Sequence, residues 1–293
     1  MAPNRSTTRM GQISTFVTLK AFESMELIDI GANLTHESFK HDLNAVISSS
    51  IEAGLSHIIV TGTDFKSSCE ARTLCRKYPD FVSATAGYHP HVASACDAEA
   101  FALIRDLAAH TNTAAIGECG LDYNRNYSPA ADQLRAFELH LQLAAETQKP
   151  LFLHQRDAHD DFYRLLSKYR GAVVGGVVHC FTDSERALRD YIQLDMYIGI
   201  TGWVCDERRG TELQQLVSMI PADRLLLETD APYLLPRTIT PKPSSRRNEP
   251  RYLLEVASTV AACRGVPVAA LAEETTANAK RLFDLNTPIT GEP

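Results

Sequence analysis

Short apolar, β-branched runs alternate with longer amphipathic segments along most of the chain, beginning at Met25. Each run is bounded by polar or glycine-containing stretches, and this pattern is typical of buried strands. Eight such runs are present, and each predicts one strand. The predicted strands are Leu27–Ile30, His57–Thr61, Val82–Ala86, Ala114–Ile116, Leu151–His154, Val173–His179, Met196–Ile200 and Leu225–Glu228.

The amphipathic segments between the runs predict helices. Apolar residues recur every three or four positions at Leu134, Phe137, Leu141 and Ala145. Strands that alternate with helices form parallel βαβ units, and eight units in about 250 residues predict an α/β fold closed as a (β/α)8 TIM barrel. An open doubly wound sheet is the alternative, but no GxGxxG motif follows the first run. The predicted helices include Asp42–Ala53, Ala131–Thr147, Thr211–Ile220, Arg251–Arg264 and Glu274–Leu285.

The chain divides into three predicted parts. Residues 1–24 are rich in Ser and Thr and carry no acidic residue before Glu23, which predicts a disordered extension, with a mitochondrial targeting segment as the alternative. Residues 25–285 form one predicted TIM-barrel domain, and residues 286–293 form a C-terminal tail. Residues 231–250 contain five of the 14 prolines, so they predict a long loop after the eighth strand.

Composition narrows the class of protein. Hydrophobic residues make up 44% of the 293 residues, which excludes a disordered chain. The net charge of −7 argues against a protein that coats long duplexes. No apolar run approaches the ~18 residues of a membrane span, so we expect no membrane association. The seven cysteines form no CxxC pair, which favours a reducing, cytoplasmic location over a disulfide framework.

Ionisable residues stand close to the ends of the predicted strands. They are Asp29 in the first, His89 and His91 after the third, Glu118 after the fourth, His154 and His179 ending the fifth and sixth, and Asp230 after the eighth. In a parallel barrel these ends converge on the face that carries active sites. A single such histidine is more often a hydrogen-bonded core residue, but a set on one face favours a divalent metal site. His140 lies within a predicted helix and is expected to pack or to face solvent.

Basic residues also follow these strands. Arg156 follows the fifth and Arg208 and Arg209 follow the seventh, and the proline-rich loop contributes Lys242, Arg246 and Arg247. Arginine forks suit phosphate oxygens, so we expect a phosphate-binding rim that includes Arg156, Arg208 and Arg247. Ordinary surface charge is the simpler interpretation of any one of them. Trp203 could stack a base, although packing is the commoner role for such a residue.

Long motifs identify a resemblance that covers Met25 to about Leu285. They read IDIGANLT, TAGYHPH, AIGECGLDYNRN, LHQRDAH, VVHCFT, YIGITGWVCDERRG and LLLETDAPYLLPR. Together they resemble the TatD family of metal-dependent deoxyribonucleases, which belongs to the amidohydrolase-like barrel hydrolases. The combination of GECGLD with ETDAPYL is far more specific than any single motif.

The resemblance implies roles for individual residues. Glu118, His154 and His179 match metal ligands, and Asp230 matches an aspartate that acts as ligand or general base. His89 matches a histidine that contacts the scissile phosphate or the leaving group. Most of the family carries HxH on the first strand, where this chain has Gly31 and Asn33 after Asp29. The first-metal position is therefore degenerate in this chain, where it consists of Asp29 and Asn33. The resemblance then implies one firmly held ion and leaves the binding of a second ion open.

The resemblance also implies an activity. The expected reaction is 3′-to-5′ hydrolysis of phosphodiester bonds in single-stranded DNA, or in RNA, by a monomer that serves DNA repair or degradation. Magnesium is the expected ion, while two histidines would also suit Mn²⁺ or Zn²⁺. Two alternatives stay open at this point. One is another metal-dependent barrel hydrolase that cleaves a C–N or ester bond. The other is a non-catalytic barrel in which the metal only stabilises the fold.

Overall fold

The computed structural model describes residues 25–285, so the predicted extension and tail lie outside the described residues. Eight parallel strands pair in chain order from β1 to β8, which confirms the predicted TIM barrel. The strands are β1 Leu27–Ala32, β2 Leu55–Val60, β3 Val82–Ala86, β4 Thr113–Asp122, β5 Leu151–Arg156, β6 Gly176–Val178, β7 Tyr197–Ile200 and β8 Leu225–Leu227.

Backbone contacts between the ends of β1 and β8 close the barrel. Ala32 forms a parallel bridge with Ala231. The Asn33 amide donates to the Ala231 carbonyl at 2.6 Å, and the Asp230 amide donates to the Gly31 carbonyl at 2.8 Å. These bonds lie at the C-terminal ends of both strands, so closure itself fixes the backbone around Asp230.

Nine α-helices cover the outside of the barrel within residues 25–285. They are α1 Leu43–Glu52, α2 Phe65–Lys77, α3 Ala98–Ala108, α4 Ala130–Thr147, α5 His159–Tyr169, α6 Glu185–Gln193, α7 Thr211–Val217, α8 Leu253–Arg264 and α9 Val268–Phe283. Asp64 caps α2, because its carboxylate accepts from the Ser67 amide while the Ser67 hydroxyl bonds the Asp64 amide. Several helices pack an apolar face on the sheet, as the periodicity predicts, whereas α7 packs on α8 instead.

Some element boundaries differ from the prediction. Strand β4 runs to Asp122 rather than to Ile116, because Gly120 pairs with His154 and Asp122 pairs with Arg156 on β5. The glycines of this segment made it look like a loop, since glycine weakens an isolated strand. Helix α9 begins at Val268, six residues before the predicted start. Both extensions depend on packing against neighbours that are distant in sequence.

The apolar core has two layers. The larger layer lies between the strands and the surrounding helices. The smaller fills the barrel interior, where Ile28, Ile30 and Phe152 are buried and Phe283 from α9 packs against them. No single helix in the described residues is long and apolar enough to cross a membrane, although the bent pair Pro250–Arg264 and Val268–Phe283, at 109°, passes the same length and composition test together.

His140 is a packing residue rather than a solvent-facing one. It is fully buried in α4, its Nδ1 donates to the Ala136 carbonyl at 2.7 Å, and its Nε2 accepts from the Tyr88 amide at 3.0 Å. Burial lowers the pKa of His140 to about 4. The ring is therefore neutral at pH 7 and holds the backbone just before His89.

We predict that His140 makes the fold sensitive to mild acid. The unfolded chain takes up a proton as pH falls through about 6.5, while the folded ring resists until about pH 4, so stability falls across that window. Between pH 7.5 and 5 the contribution is about 2 kcal/mol. Urea unfolding at both values should show wild type losing that much more stability than His140→Gln.

The exposed His41→Gln variant is the matched control and should follow the wild type. Equal acid sensitivity of wild type and His140→Gln would contradict the prediction.

Candidate active site

A cavity of about 930 Å³ opens at the C-terminal ends of the strands. Seven of the ten site residues expected from the sequence line this cavity. They are Asn33, His89, Glu118, His154, Arg156, His179 and Asp230. The other three, Asp29, Arg208 and Arg247, do not line it. The barrel therefore brings most of the expected residues to one place.

The Glu118 carboxylate lies at the centre of the cluster and is 4% exposed. One of its oxygens, Oε1, is 3.1 Å from His89 Nε2, 3.0 Å from His154 Nδ1 and 2.8 Å from His179 Nε2. Burial alone would raise the pKa of Glu118, but the facing His89 and His179 rings outweigh burial and hold it well below its usual value. Glu118 is therefore an anion that gathers three imidazoles from three different strand ends.

The three imidazoles differ in their surroundings. Burial lowers the pKa of His89 to about 4, so this ring is neutral at pH 7. For His179 burial also acts to lower the pKa, but the carboxylates of Glu118 and Glu228 outweigh it and raise the pKa well above its usual value. His179 therefore lies between two carboxyl groups, those of Glu118 and Glu228, whereas His89 faces only Glu118.

Glu228 is a site residue that the sequence reasoning missed. It is fully buried, its Oε1 accepts from the Cys180 amide at 2.5 Å, and its Oε2 lies 3.4 Å from His179 Nδ1. A carboxylate behind a histidine fixes which ring nitrogen faces the cavity. A Cβ built on Gly31 would lie 2.5 Å from Glu228 Oε2. Glu228 therefore fills the space into which a side chain at position 31 would project.

Asp122 is a second residue that was missed, because β4 was expected to end at Ile116. Its Oδ2 lies 2.7 Å from His91 Nε2 and 3.4 Å from His154 Nε2, and its Oδ1 accepts from the Arg125 amide at 2.7 Å. Burial would raise the pKa of Asp122, but the bonds from His154 and His91 lower it strongly. The signal in the sequence is the carboxylate that ends GECGLD, two residues beyond the last glycine.

Asp230 and Asn33 face each other at the seam where the barrel closes. Asn33 Nδ2 donates to Asp230 Oδ1 at 2.9 Å. Removal from water raises the pKa of Asp230 to about 7, with His179 acting in the opposite direction. The backbone of Asp230 is left-handed, with φ of 54°. That turn carries the side chain from the end of β8 into the cavity.

Asp29 does not line the cavity but holds the ends of β1 and β8 together. It is fully buried, and it accepts from the Thr229 amide at 2.9 Å, the Thr229 hydroxyl at 2.5 Å and the Gly31 amide at 3.2 Å. Burial raises the pKa of Asp29 to about 7. Its carboxylate joins β1 to β8 beneath the site, which leaves no oxygen directed at the cavity.

The three expected phosphate-binding arginines separate in the structure. Arg156 is exposed at the cavity. Arg208 lines a neighbouring cavity next to Asp206. Arg247 is turned away: its guanidinium bonds Asp42 at 2.9 and 2.7 Å and Glu249 at 2.8 Å. Arg247, expected to bind a substrate phosphate, therefore lines neither cavity, because two carboxylates hold it elsewhere. Arg125 and Arg209 line the cavity instead.

The cluster has the donors that a divalent metal needs. One ligand atom each from His89, Glu118 and His154 lie within 4.8 Å of one another. Three ring nitrogens, His89 Nε2, His154 Nδ1 and His179 Nε2, converge on one oxygen of the buried Glu118 carboxylate. A divalent cation is a favourable partner for imidazole and carboxylate ligands gathered in this way. The donor set of nitrogens and carboxylate oxygens fits a divalent ion.

The fold and this cluster together define a class of protein, the (β/α)8-barrel hydrolases with a metal-binding site at the C-terminal face of the barrel. A family model described as "TatD related DNase" matches residues 28–284, so the chain belongs to that family.

Similar proteins agree with this assignment. The chain is 50% identical over 260 residues to a protein of Rahnella sp. named "3'-5' ssDNA/RNA exonuclease TatD", which covers 89% of this chain and 99% of the relative. The Escherichia coli K12 protein of the same name is 48% identical over 259 residues, and the match covers 88% of this chain and 99% of that protein. A TatD family hydrolase from Entamoeba histolytica superposes with a TM-score of 0.81 at 26% identity, covering 88% of this chain and 98% of that one.

We predict that Gly31→Ala destabilises the protein, because its new methyl group would collide with the buried Glu228 carboxylate. Overpacking of this kind costs about 1–3 kcal/mol. Urea unfolding measures the change. Gly171→Ala is the control, since a Cβ there would meet nothing within 4 Å. Equal stabilities of Gly31→Ala and Gly171→Ala would show that the space beside Glu228 is open.

Proposed function

We propose that this protein is a metal-dependent exonuclease that hydrolyses phosphodiester bonds at the 3′ end of single-stranded DNA or RNA. The observation that carries the proposal is the buried Glu118 carboxylate with His89, His154 and His179 around it at the mouth of a TIM barrel. The name shared by relatives of about half identity supports the substrate and the polarity.

Glu118, His154 and His179 would hold the metal. Glu228 would orient His179 from behind, and Asp122 would do the same for His154, because each carboxylate lies 3.4 Å from the ring nitrogen that does not face Glu118. A bound divalent ion supplies Lewis-acid chemistry, which stabilises charge on phosphate oxygens and makes bound water more acidic. The proposed ion is Mg²⁺, with Mn²⁺ and Zn²⁺ also suited to the imidazole ligands.

The remaining residues of the cavity would act on substrate. Asp230 would accept a proton from the attacking water, since its carboxylate is inside the cavity and one oxygen already bonds Asn33. His89 Nδ1 accepts from the His91 amide at 3.0 Å, so the N–H of this neutral ring is on Nε2, 3.1 Å from Glu118 Oε1. With substrate bound, His89 would donate this N–H to the scissile phosphate or to the leaving 3′-oxygen instead. Arg156, exposed at the cavity mouth, would bind a phosphate.

One firmly held ion is the number that the site supports. Gly31 offers no ligand, and Glu228 fills the space beside it. The Asn33 amide is already bonded to Asp230. A second ion would therefore depend on oxygens that the substrate brings with it.

The proposed cellular location rests on the state of the cysteines. All seven cysteines are free, which fits a reducing compartment such as the cytoplasm. A monomeric state and a role in DNA repair or degradation are predictions from the sequence.

We predict that Glu118→Gln loses metal affinity, because the amide keeps the shape of the side chain but removes its charge. Electron paramagnetic resonance of free Mn²⁺ measures binding without any turnover. We expect affinity to fall about 100-fold, at or beyond the 10–100-fold known for outer partners of metal ligands. Glu138→Gln is the matched control, since Glu138 pairs with Lys168 on the surface. Equal Mn²⁺ affinity of the two variants would remove Glu118 from the metal site.

We predict a ladder of products that shorten from the 3′ end when a 5′-labelled single-stranded oligonucleotide is incubated with the protein and Mg²⁺. EDTA and Glu118→Gln should each abolish the ladder, and Glu138→Gln should retain it. An intact oligonucleotide under both Mg²⁺ and Mn²⁺ would contradict the proposed activity. In that case, a metal-dependent rise in melting temperature would identify the metal as a structural staple only.

A further inference from the structure

A second cavity of about 750 Å³ adjoins the first. It lies between the loop after β7 and the proline-rich loop after β8. Trp203, Arg209 and Leu234 line both cavities, so these three residues form the junction between them. The two loops are tightly packed there, because a Cβ on Gly202 would lie 2.1 Å from the Leu234 carbonyl oxygen. The two cavities therefore form one continuous surface, and the two loops pack closely where the cavities meet.

The second cavity is basic, although the whole chain has a net charge of −7. Its cationic lining residues are Arg208, Arg209, Arg237, Lys242 and Arg246. Asp206 is the one acidic residue that lines it. Glu207, outside the lining, pairs with Arg237 at 2.7 Å. Cations outnumber carboxylates at this place, which is the reverse of the protein as a whole.

Asp206 organises three of these arginines. It is 4% exposed, it accepts from the amides of Arg208 and Arg209, and it lies within 3.1–3.8 Å of the guanidinium groups of Arg208, Arg209 and Arg237. Asp206 and Glu207 together supply two negative charges against the three arginines. Within the described residues, Lys242 and Arg246 have no acidic partner. The cavity therefore carries an unbalanced positive charge that is built into the fold.

A stacked pair of planar groups, Arg209 on Trp203, marks the junction. The guanidinium of Arg209 lies over the ring of Trp203, 4.5 Å from its centroid. Trp203 is half-buried and lines both cavities. An aromatic face combined with a basic groove is the arrangement that binds single strands without regard to sequence, because every base can stack and every nucleotide carries a phosphate.

We propose that the second cavity binds the strand on the 5′ side of the nucleotide that is cleaved, with a base on the stacked pair of Arg209 and Trp203 and backbone phosphates near Lys242 and Arg246. The proposal rests on the exonuclease function. An enzyme that removes nucleotides from a 3′ end must direct the rest of the strand away from the metal. The second cavity is a basic path that joins the first at a stacking surface.

The experiment compares a charge-reversal pair with a matched control. Lys242→Glu/Arg246→Glu changes the cavity, and Arg186→Glu/Arg189→Glu makes the same change of charge on α6, where both arginines are exposed. The probes are a 12-nucleotide oligo-dT and the dinucleotide dTpdT. The ratio of kcat/KM for oligo-dT to that for dTpdT should fall about tenfold in the first variant and stay at the wild-type value in the second.

Binding without turnover provides an independent readout. Anisotropy of a 5′-labelled phosphorothioate oligo-dT in EDTA should give a salt dependence of log K that is shallower by about 1.4 in the cavity variant, at about 0.7 for each lost phosphate contact. Trp203 is the single tryptophan of the chain, so its fluorescence reports stacking directly. Oligo-dT should quench it in wild type, and the cavity variant should need a higher concentration.

The outcomes separate this inference from the exonuclease proposal. If wild type degrades oligo-dT but both variants keep its kcat/KM ratio and its salt dependence, the second cavity is not a subsite and the exonuclease function stands. If wild type degrades neither probe, the exonuclease function fails. Anisotropy and Trp203 quenching then decide the binding role, and binding that is equal in all three proteins overturns it.

Discussion

A single buried anion organises the site. Removing a carboxylate from water is costly unless it gains partners, and Glu118 gains three imidazoles at 2.8–3.1 Å. Those rings follow β3, lie on β5 and follow β6, so one oxygen atom ties together three strand ends. Glu118 belongs to β4, between β3 and β5 in the sheet. The chemistry of the site and the packing of the strand ends from β3 to β6 depend on the same contacts.

A second set of contacts holds the opposite side. Asp29 binds the amide and hydroxyl of Thr229, and Asn33 binds Asp230, so β1 and β8 are joined by side chains as well as by backbone. The adjacent Glu228 fills the room beside Gly31. This arrangement explains in steric terms why position 31 carries glycine: a bulky ligand at position 31 and a carboxylate at position 228 cannot share the space.

Basic residues line both cavities of the active-site face. Arg156 stands at the first cavity, while the arginines gathered by Asp206 stand at the second. Arg247 belongs to neither, because Asp42 and Glu249 hold it beside α1. Positive charge thus extends from the first cavity into the second, and Trp203 lies at their junction.

The sequence alone determined the barrel, because the alternation of apolar runs and amphipathic segments is a local pattern with a fixed period. It also placed Glu118, His154, His179 and Asp230 on one face, since strand ends converge in any parallel barrel. The tertiary structure decided which atoms meet. The places of Glu228 and Asp122 in the site follow from the contacts that β8 and the extended β4 make in the folded protein. Asp29 and Arg247 are held by hydrogen-bond partners about 200 residues away in the chain. Hydrogen-bond partners of long polar side chains are set by non-local packing, which no periodicity along the chain records.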